Sequence, residues 1–346
     1  MSKGMGCRYG SHRVLEPRGI LPQPALKLDN SMEIYDNEVL IDVGTLNIDS
    51  ASYTQIRSAC GGDAGRMRDM ILDIVRERGK MQNPVTGSGG MLVGTVREIG
   101  PAFPDKKLAV GDRIATLVSL SLTPLAIGKI FRLDPDSDQV DVEARAILFE
   151  SGIYAHMPTD LPEKLALAVL DVAGAPAQVD RLVKEGDTVC IIGGGGKSGV
   201  LCCYQAMKNV GPYGKVIVVE YSKENARRIA DMRLATDVIV ADATNAIDVY
   251  HKVLAITGPR GCDVTINNVN VPNTEMTSIL ITKGQGLIYF FSMATSFTKA
   301  ALGAEGVGKD IELIVGNGYA KGHSDLTLNI LRESAEIRAL FERLYV

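Results

Sequence analysis

The sequence predicts an α/β protein in which a doubly wound parallel sheet follows a smaller β-rich domain. After Pro158, short apolar runs rich in β-branched residues alternate with helical stretches. Strands that are apolar throughout are typical of a parallel sheet covered on both faces, with right-handed crossovers joining them. In the first half, Gly and Pro break shorter strand-like runs. The 346 residues suffice for two domains, each with its own core.

The β-rich half is predicted from three strand-like runs and one helix. The helix is expected between Asp63 and Arg78, where Met67, Ile71 and Ile74 are spaced to form one apolar face. We interpret this face as core packing. The strand-like runs cover residues 38–44, 90–100 and 111–117.

The second half is predicted to contain five strands of one sheet. Helices are expected over residues 199–209 and 223–232, between the first three of these strands. Alternation of strand and helix along the chain is typical of a doubly wound sheet. The predicted strands cover residues 188–192, 215–219, 237–240, 262–266 and 286–290.

Composition and charge argue against several classes of function. The 37 basic and 41 acidic side chains give a net charge of −4, so we expect neither nucleic acid nor an anionic membrane as a partner. No run approaches the roughly 18 apolar residues of a membrane span, and residues 1–24 lack the apolar centre of a signal peptide. The six cysteines form no C-x-x-C pair, which argues against a structural zinc and favours a reducing cytoplasm.

A glycine-rich turn at the end of the first predicted parallel strand is the strongest sign of a ligand. The turn contains the pattern Gly194-x-Gly196-x-x-Gly199 and leads directly into a helix. The first glycine permits the tight turn, the second lets the backbone approach a pyrophosphate, and the third lets helix and strand pack closely. Together with Lys197 and Ser198, these glycines are predicted to bind dinucleotide phosphates at the helix N-terminus.

An acidic residue, Glu220, follows the second predicted strand about 20 residues after the glycine turn. A carboxylate there can accept hydrogen bonds from both ribose hydroxyls and repels a 2′-phosphate, which favours NAD over NADP. Three basic residues nearby, Lys223, Arg227 and Arg228, leave NADP open as an alternative.

Polar residues also follow the later strands of the predicted sheet. Ligands of open α/β sheets bind beyond the carboxyl ends of the strands. We therefore expect the residues at these ends to contact the cofactor, although Asn268 can equally stabilise a turn. The candidates are Asp242, Asn267, Asn268 and Ser292.

A β-rich domain followed by a dinucleotide-binding sheet is the domain order of the medium-chain dehydrogenase/reductase superfamily, which the chain resembles. Besides the glycine turn, the resemblance rests on residues 41–47, 94–100 and 110–114. It implies a GroES-like catalytic domain over 1–157, a Rossmann dinucleotide-binding domain over 158–315 and a segment over 316–346 that returns to the catalytic domain. It also implies a homodimer joined through an edge strand of the nucleotide domain, for which residues 286–291 are the candidate.

Many members of this superfamily hold a catalytic zinc with Cys, His and either Cys or Asp. The corresponding positions in this sequence are Asn47, Gly90 and Asp171, and a lobe with four cysteines is absent. One carboxylate without an imidazole or thiolate is a poor zinc site. We therefore expect no metal.

Within the superfamily, the chain resembles a zinc-free family of amino acid dehydrogenases of bacterial lysine fermentation. The stretches that carry this resemblance are residues 7–13, 33–38, 47–53, 147–154 and 170–177. The resemblance implies oxidative deamination of L-erythro-3,5-diaminohexanoate. In this reaction the C3 amine gives a hydride to NAD, and water hydrolyses the imine to 5-amino-3-oxohexanoate and ammonia.

This reaction needs a group that removes a proton from the C3 ammonium and later activates water, and a carboxylate suits both tasks. Asp171 is the first candidate, because it follows the apolar run 165–170 and a buried Asp is costly unless it is paired. Alternatively, Asp171 caps the next helix. Asp49 is the second candidate, and it can also pair with a substrate ammonium or cap a helix.

Three further residues are weaker candidates for the site. Glu150 would supply a second acidic group for a diamine, or is an ordinary surface Glu. Tyr53 would donate a hydrogen bond to the attacking water, or packs in the core. Arg13 would bind the substrate carboxylate through two parallel hydrogen bonds, or lies at the surface.

Two other functions remain as alternatives at this point. A zinc-free quinone or enoyl reductase would oxidise NADPH with an activated alkene, and the acidic Glu220 argues against it. A non-catalytic NAD-sensing protein could use the same fold, since a fold alone does not define a function.

Overall fold

The structure, a computed structural model, describes residues 3–316 and 318–346. It divides into two compact units. We call them the N-terminal unit, which ends at Asp171 and includes Tyr345–Val346, and the C-terminal unit, Val172–Leu344. The boundary therefore lies later than the predicted residue 157. In the segment 316–346, which is predicted to return to the catalytic domain, the helix that contains Thr327 packs within the C-terminal unit, whereas Tyr345–Val346 belong to the N-terminal unit.

The N-terminal unit is built on an antiparallel sheet. Its elements are β1 (Val14–Glu16), β2 (Lys27–Leu28), β3 (Val39–Ile48), α1 (Ser50–Cys60), α2 (Ala64–Arg78), β4 (Gly90–Ile99), β5 (Arg113–Thr116), β6 (Leu125–Arg132), β7 (Gln139–Leu148), β8 (Tyr154–His156) and α3 (Glu163–Leu170). Within the described residues, six strands pair in the order β6-β7-β3-β4-β5-β8, and β1 pairs with β2. The three predicted strands are confirmed as β3, β4 and β5.

The core of the N-terminal unit combines one face of this sheet with α1 and α2. The predicted apolar face of α2 is confirmed, since Met67, Ile71 and Ile74 are buried in that core. Helix α1 was predicted only through the alternative that Asp49 caps a helix, because Ile56 is the single aliphatic residue larger than Ala in α1 and no apolar stripe marks it in the sequence. Asp49 caps it by accepting a hydrogen bond from the backbone N–H of Ser52 at 3.0 Å.

Buried charges hold the segment that precedes β3. The Arg13 side chain is fully buried, and its Nε and Nη2 atoms donate to the carboxylate of Glu38 at 2.7 and 2.6 Å. Its other N–H groups donate to the carbonyls of Asp29, Ser31 and Glu33. Every donor of the guanidinium is thus used inside the unit. The prediction that Arg13 binds a substrate carboxylate is therefore wrong.

The C-terminal unit contains the predicted doubly wound sheet. Its elements are α4 (Gly174–Leu182), β9 (Thr188–Ile192), α5 (Lys197–Val210), β10 (Lys215–Glu220), α6 (Lys223–Asp231), β11 (Asp237–Val240), α7 (Ala246–Thr257), β12 (Cys262–Asn267), α8 (Glu275–Ile281), β13 (Thr282–Phe290), α9 (Phe297–Gly306), β14 (Glu312–Val315), α10 (His323–Glu333) and α11 (Ala335–Tyr345). Among the described residues, the strands pair in parallel in the order β11-β10-β9-β12-β13-β14.

The five predicted strands are confirmed, and β14 adds a sixth at one edge of the sheet. Strand β13 lies between β12 and β14, so residues 286–291 are not the edge that we expected for a dimer. Because all the strands run in parallel, their carboxyl ends lie along one side of the sheet. Within the described residues, no helix has the length and apolar character that crossing a membrane requires.

Candidate functional site

The three glycines of the predicted pattern in the turn after β9 have two different steric roles. A Cβ added at Gly194 would lie 2.6 Å from Cγ1 of Val218, and one at Gly199 would lie 2.1 Å from the carbonyl oxygen of Gly193. Both positions therefore need glycine for close packing. A Cβ added at Gly196 would meet nothing within 4 Å. The backbone at Gly196 thus borders open space, as a backbone that approaches a pyrophosphate requires.

Helix α5 begins at Lys197, directly after Gly196, and no side chain caps its first turn. Uncapped N–H groups and the positive end of the helix dipole favour a phosphate at this position. The half-buried Ser198 also lies in that first turn. A dinucleotide fits the residues present here.

Glu220, at the end of β10, is hydrogen-bonded to the glycine turn. Its Oε2 accepts a hydrogen bond from the N–H of Gly195 at 2.8 Å, and its Oε1 accepts one from the N–H of Ser222 at 3.0 Å. Arg228 donates to the carbonyl of Gly195 at 3.0 Å. The two hydrogen bonds from backbone N–H groups orient the carboxylate. Because each of its oxygens retains a lone pair, it can still accept hydrogen bonds from the hydroxyls of a ribose.

The other predicted cofactor residues differ in what their side chains contact. The amide of Asn267 is fully buried and bonds with Thr274, Ser278 and the N–H of Val269, so the polar atoms of its side chain are used within the C-terminal unit. Asp242 is exposed. Hydrogen bonds from the N–H and the hydroxyl of Thr244 lower the pKa of its carboxyl. The hydroxyl of Ser292 accepts a hydrogen bond from the N–H of residue 294.

Two polar groups near the carboxyl ends of β12 and β13 lack a hydrogen-bond partner in the described part of the chain: Nδ2 of Asn268 and the hydroxyl of Tyr289. Tyr289 is fully buried, and burial raises the pKa of its phenol. Unpartnered buried polar groups are costly, so a ligand or water is expected at them. We did not predict Tyr289, because an aromatic residue in an apolar strand usually indicates core packing.

Substitution of Gly196 by Val tests the phosphate site. Gly196 has a φ of −80°, which Val tolerates, and the new side chain would fill the open space beside the turn. We expect unchanged thermal stability and a loss of dinucleotide affinity on the order of tenfold or more, measured by calorimetric titration. Unchanged affinity would contradict this position for the phosphates.

A second group of unpartnered polar atoms lies in the N-terminal unit, where β3 ends. Both side-chain polar atoms of Asn47, Oε1 of Gln139 and Oδ2 of Asp49 are buried without a partner among the described residues. Asn47 and Gln139 are directly paired across β3 and β7. We did not predict Gln139, because strand pairing places it beside Asn47 and the sequence does not reveal that pairing.

The residues present do not fit a catalytic zinc. Asn47 and Asp49 offer an amide and a carboxylate, and the position of the usual His ligand is occupied by Gly90. A Cβ at Gly90 would lie 1.9 Å from the carbonyl oxygen of Asn47, so no side chain can project there. Within the described residues, no three His, Cys, Asp or Glu side chains form a group that could hold a metal.

Of the predicted catalytic residues, Asp171 keeps its place as a candidate. It is half-buried and ends α3 directly after the buried run Leu165–Leu170. The alternative role as cap of the next helix does not apply, because Ala173 occupies the N-cap of α4.

Tyr53 and Glu150 are not where the predicted chemistry needs them. The hydroxyl of Tyr53 donates to the carbonyl of Asp134 at 2.5 Å, and burial and the Asp134 carboxylate raise the pKa of this tyrosine to about 12. Its expected role as a donor to water is therefore wrong. Glu150 lies two residues beyond Leu148, at the end of β7 opposite Gln139, the residue that is paired with Asn47. It accepts a hydrogen bond from Asn37 at 2.8 Å, so its expected contribution to a common diamine site is also wrong.

Comparison with solved structures supports the predicted fold. CurK enoyl reductase matches with a TM-score of 0.56 and 14% identity, over 89% of this chain and 87% of that one. A quinone oxidoreductase from Coxiella burnetii matches with a TM-score of 0.56 and 19% identity, over 90% and 85% of the two chains. Identities this low show a common fold and no more. The predicted fold class, a parallel doubly wound sheet together with a β-rich domain, is thereby confirmed.

Comparison with curated relatives is more specific. The chain is 58% identical over 342 residues to L-erythro-3,5-diaminohexanoate dehydrogenase of Acetoanaerobium sticklandii, with 99% of each chain covered. It is 59% identical over 345 residues to the enzyme of the same name from Fusobacterium nucleatum subsp. nucleatum, again with 99% coverage of both. The family model for the N-terminal domain of L-erythro-3,5-diaminohexanoate dehydrogenase matches residues 12–158. The chain therefore belongs to the L-erythro-3,5-diaminohexanoate dehydrogenase family.

Proposed function

We propose that this dehydrogenase oxidatively deaminates L-erythro-3,5-diaminohexanoate to 5-amino-3-oxohexanoate and ammonia. The observation that carries this proposal is the identity of 58% and 59%, over 99% of the chain, to two enzymes of that name. The dinucleotide turn of the C-terminal unit and the unpartnered acceptors of the N-terminal unit support it independently. The substrate has two ammonium groups, and carboxylate and amide oxygens can accept hydrogen bonds from both.

We propose NAD as the preferred nicotinamide cofactor. Glu220 is buried and oriented by the N–H groups of Gly195 and Ser222, so its carboxylate is preorganised at the end of β10. A fixed negative charge there favours a ribose with two free hydroxyls over a 2′-phosphate. When bound, the nicotinamide ring accepts the hydride that leaves C3.

In the proposed reaction, Asp171 removes a proton from the C3 ammonium. The free amine can then release hydride from C3 with its electron pair, which leaves a carbon–nitrogen double bond. Asp171 then releases this proton to solvent, and as a carboxylate again it takes a proton from the water that adds to C3. It returns that proton to the nitrogen, and ammonia leaves as the hydroxyl group of the adduct loses its own proton to form the ketone. The C-terminal end of α3 adds a partial negative charge beside Asp171, which attracts the substrate ammonium.

The direct test incubates the purified protein with NAD and 3,5-diaminohexanoate. We expect absorbance at 340 nm to rise, with one ammonia released per NADH formed. Reduction of an activated alkene by NADPH, without amine oxidation, would contradict the proposal in favour of an enoyl or quinone reductase. Cofactor binding without turnover of amine, alcohol or alkene would favour a sensor.

We also propose that the protein is a homodimer joined through β14. This strand is the edge of the parallel sheet, and its outer backbone groups can pair with the same strand of a second copy. Light scattering on the purified protein is expected to give twice the mass of the 37.1 kDa chain. A monomer mass would refute this proposal.

We further propose a reducing compartment, the cytoplasm, as the site of action. All six cysteines are free thiols in the structure, and five of them are buried. Free, buried cysteines are typical of proteins that fold under reducing conditions.

A further inference from the structure

We propose that Asn47, Gln139 and Asp49 bind the ammonium group at C5 of the substrate, the amine that is not oxidised. We call these three side chains the amide pocket. The inference rests on the proposed function, because it takes that reaction's substrate as the ligand. It assigns specificity for a diamine to two amides and one carboxylate.

Strand register places the three side chains on one face of the sheet. Asn47 is paired with Gln139 on the neighbouring strand, and directly paired residues project to the same side. Asp49 lies one residue beyond β3, and its N–H continues the pairing of that strand by donating to the carbonyl of Gly89 at 3.4 Å. It therefore has the same parity along the chain as Asn47. Leu46 and Ile48, which have the opposite parity, lie in the hydrophobic core. The amide pocket therefore faces away from that core.

The amide pocket is incomplete without a ligand. Asn47 is fully buried, yet neither polar atom of its side chain has a partner among the described residues. Gln139 uses its Nε2 to donate to the carbonyl of Lys164 at 3.1 Å, whereas its Oε1 has no partner. Asp49 likewise uses one oxygen to cap α1 and leaves Oδ2 unpartnered. Such groups cost free energy in the folded protein unless a ligand or water completes them.

The atoms left over match an ammonium group. Three of the four are acceptors: Oδ1 of Asn47, Oε1 of Gln139 and Oδ2 of Asp49. The fourth, Nδ2 of Asn47, is a donor, and it needs a water or another acceptor beside the ammonium. An alkylammonium has three N–H donors and no acceptor, so it can satisfy all three oxygens together. A carboxylate or phosphate ligand has only acceptors, and three oxygens with a negative charge among them would repel it.

The surrounding charges favour a cation. The turn before β7 carries Asp134, Asp136 and Asp138. Burial first, and then these carboxylates, raise the pKa of the adjacent Tyr53. Of these, Asp136 pairs with Arg57 at 2.8 Å. This acidic turn lies beside the end of β3, where Ile48 donates its N–H to the carbonyl of residue 138.

The chemistry of the acceptors indicates the C5 nitrogen. An amide oxygen accepts a hydrogen bond from an ammonium without removing its proton, because it is a much weaker base than an amine. The pocket therefore stabilises the charged form of the amine that it binds. The C3 ammonium must lose its proton before hydride can leave, whereas the C5 ammonium stays charged throughout the reaction.

The first test measures binding without turnover. 5-Aminohexanoate has the C5 amine but no C3 amine, so it is not oxidised, and hexanoate is its control without any amine. With NAD present, calorimetry on the wild-type enzyme is expected to show tighter binding of 5-aminohexanoate. Asn47→Leu is expected to weaken that binding roughly tenfold to 100-fold, and Asn47→Asp, which keeps an acceptor, is expected to retain it. Equal binding of the two acids by wild type and Asn47→Leu would overturn the proposal.

The second test measures specificity. The ratio of kcat/KM for 3,5-diaminohexanoate to that for 3-aminohexanoate is expected to fall roughly tenfold to 100-fold in Asn47→Leu and in Gln139→Met. An unchanged ratio, with both substrates losing equally, would overturn the assignment to C5. If the wild-type enzyme oxidises neither substrate but binds 5-aminohexanoate through Asn47, the proposed reaction fails while the ammonium site stands.

Thermal stability separates a ligand-binding role from a structural one. Replacing the unpartnered amide of Asn47 by an apolar side chain of similar volume is expected to leave Tm unchanged or raise it. Asn30 is the matched control, because its amide donates to the carbonyl of Leu125 at 2.8 Å. Asn30→Leu is expected to lower Tm and to retain the substrate ratio. A large drop in Tm for Asn47→Leu would show that this amide serves the fold.

Discussion

Replacing Asp171 by Asn is expected to lower kcat on the order of 10²-fold or more, because the variant keeps the shape of the side chain and loses its basicity. Asp171 ends α3 after a fully apolar stretch, and it does not cap α4. The affinity for NAD should be retained, because the dinucleotide turn lies in other elements. Steady-state kinetics with 3,5-diaminohexanoate and calorimetric titration with NAD check both parts of this expectation.

Two variants serve as controls for Asp171→Asn. Glu150→Gln is expected to keep wild-type kcat, since Glu150 lies at the far end of β7 and bonds with Asn37. Asp49→Asn is expected to raise KM for the diamine more than it lowers kcat, since we assign Asp49 to holding an ammonium. If Asp171→Asn turns over at the wild-type rate while Asp49→Asn does not, the base is Asp49.

Replacing Glu38 by Gln is expected to cost about 3–5 kcal/mol of folding free energy, the range for a buried ion pair that loses one partner. Glu38 is 1% exposed, and its carboxylate accepts hydrogen bonds from Arg13, from the ring of His12 at 2.9 Å and from the N–H of Tyr35 at 2.9 Å. The variant would leave the Arg13 guanidinium buried without its counter-charge. Urea unfolding followed by circular dichroism measures the difference.

The same pair predicts how stability depends on pH. Burial raises the pKa of Glu38, but the hydrogen bonds from Arg13 and His12 outweigh burial and lower that pKa from 4.5 to about 2. A carboxyl whose pKa is depressed by folding stabilises the protein above its unfolded pKa. This contribution should be complete above about pH 4.5 and lost as the pH falls towards 2. Glu38→Gln should lack this part of the acid dependence.

A double variant distinguishes a broken ion pair from a damaged core. Arg13→Met combined with Glu38→Met replaces both charges by apolar side chains, which is often neutral or stabilising at buried pairs. We expect the double variant to be more stable than Glu38→Gln. If it is less stable, the loss comes from the backbone carbonyls that Arg13 binds at residues 29, 31 and 33.

Local patterns were enough to predict the dinucleotide half of the molecule. Five apolar β-branched runs became parallel strands, and the glycines at 194, 196 and 199 occupy a turn in which two would clash with a side chain and one borders open space. These properties follow from the chain itself, because strand periodicity and the steric demands of a tight turn involve near neighbours. The family resemblance is likewise a property of the order of residues.

Side-chain partners across long sequence separations could not be predicted in the same way. Arg13 and Asn267 look like ligand-binding residues in the sequence, yet the fold surrounds each of them with internal acceptors or donors. Glu150 and Asp49 look like one acidic site, yet antiparallel pairing places them at opposite ends of one sheet.

The sequence by itself therefore determined the fold class, the glycine turn after the first parallel strand and the family of this protein. Only the tertiary structure decided which polar side chains are left for a ligand, because that depends on strand register. Asn47 and Gln139 are far apart in the chain and adjacent in the sheet, and each lacks a partner for at least one buried atom. A hydrogen bond requires contact in space, and contact in space is a property of the folded chain.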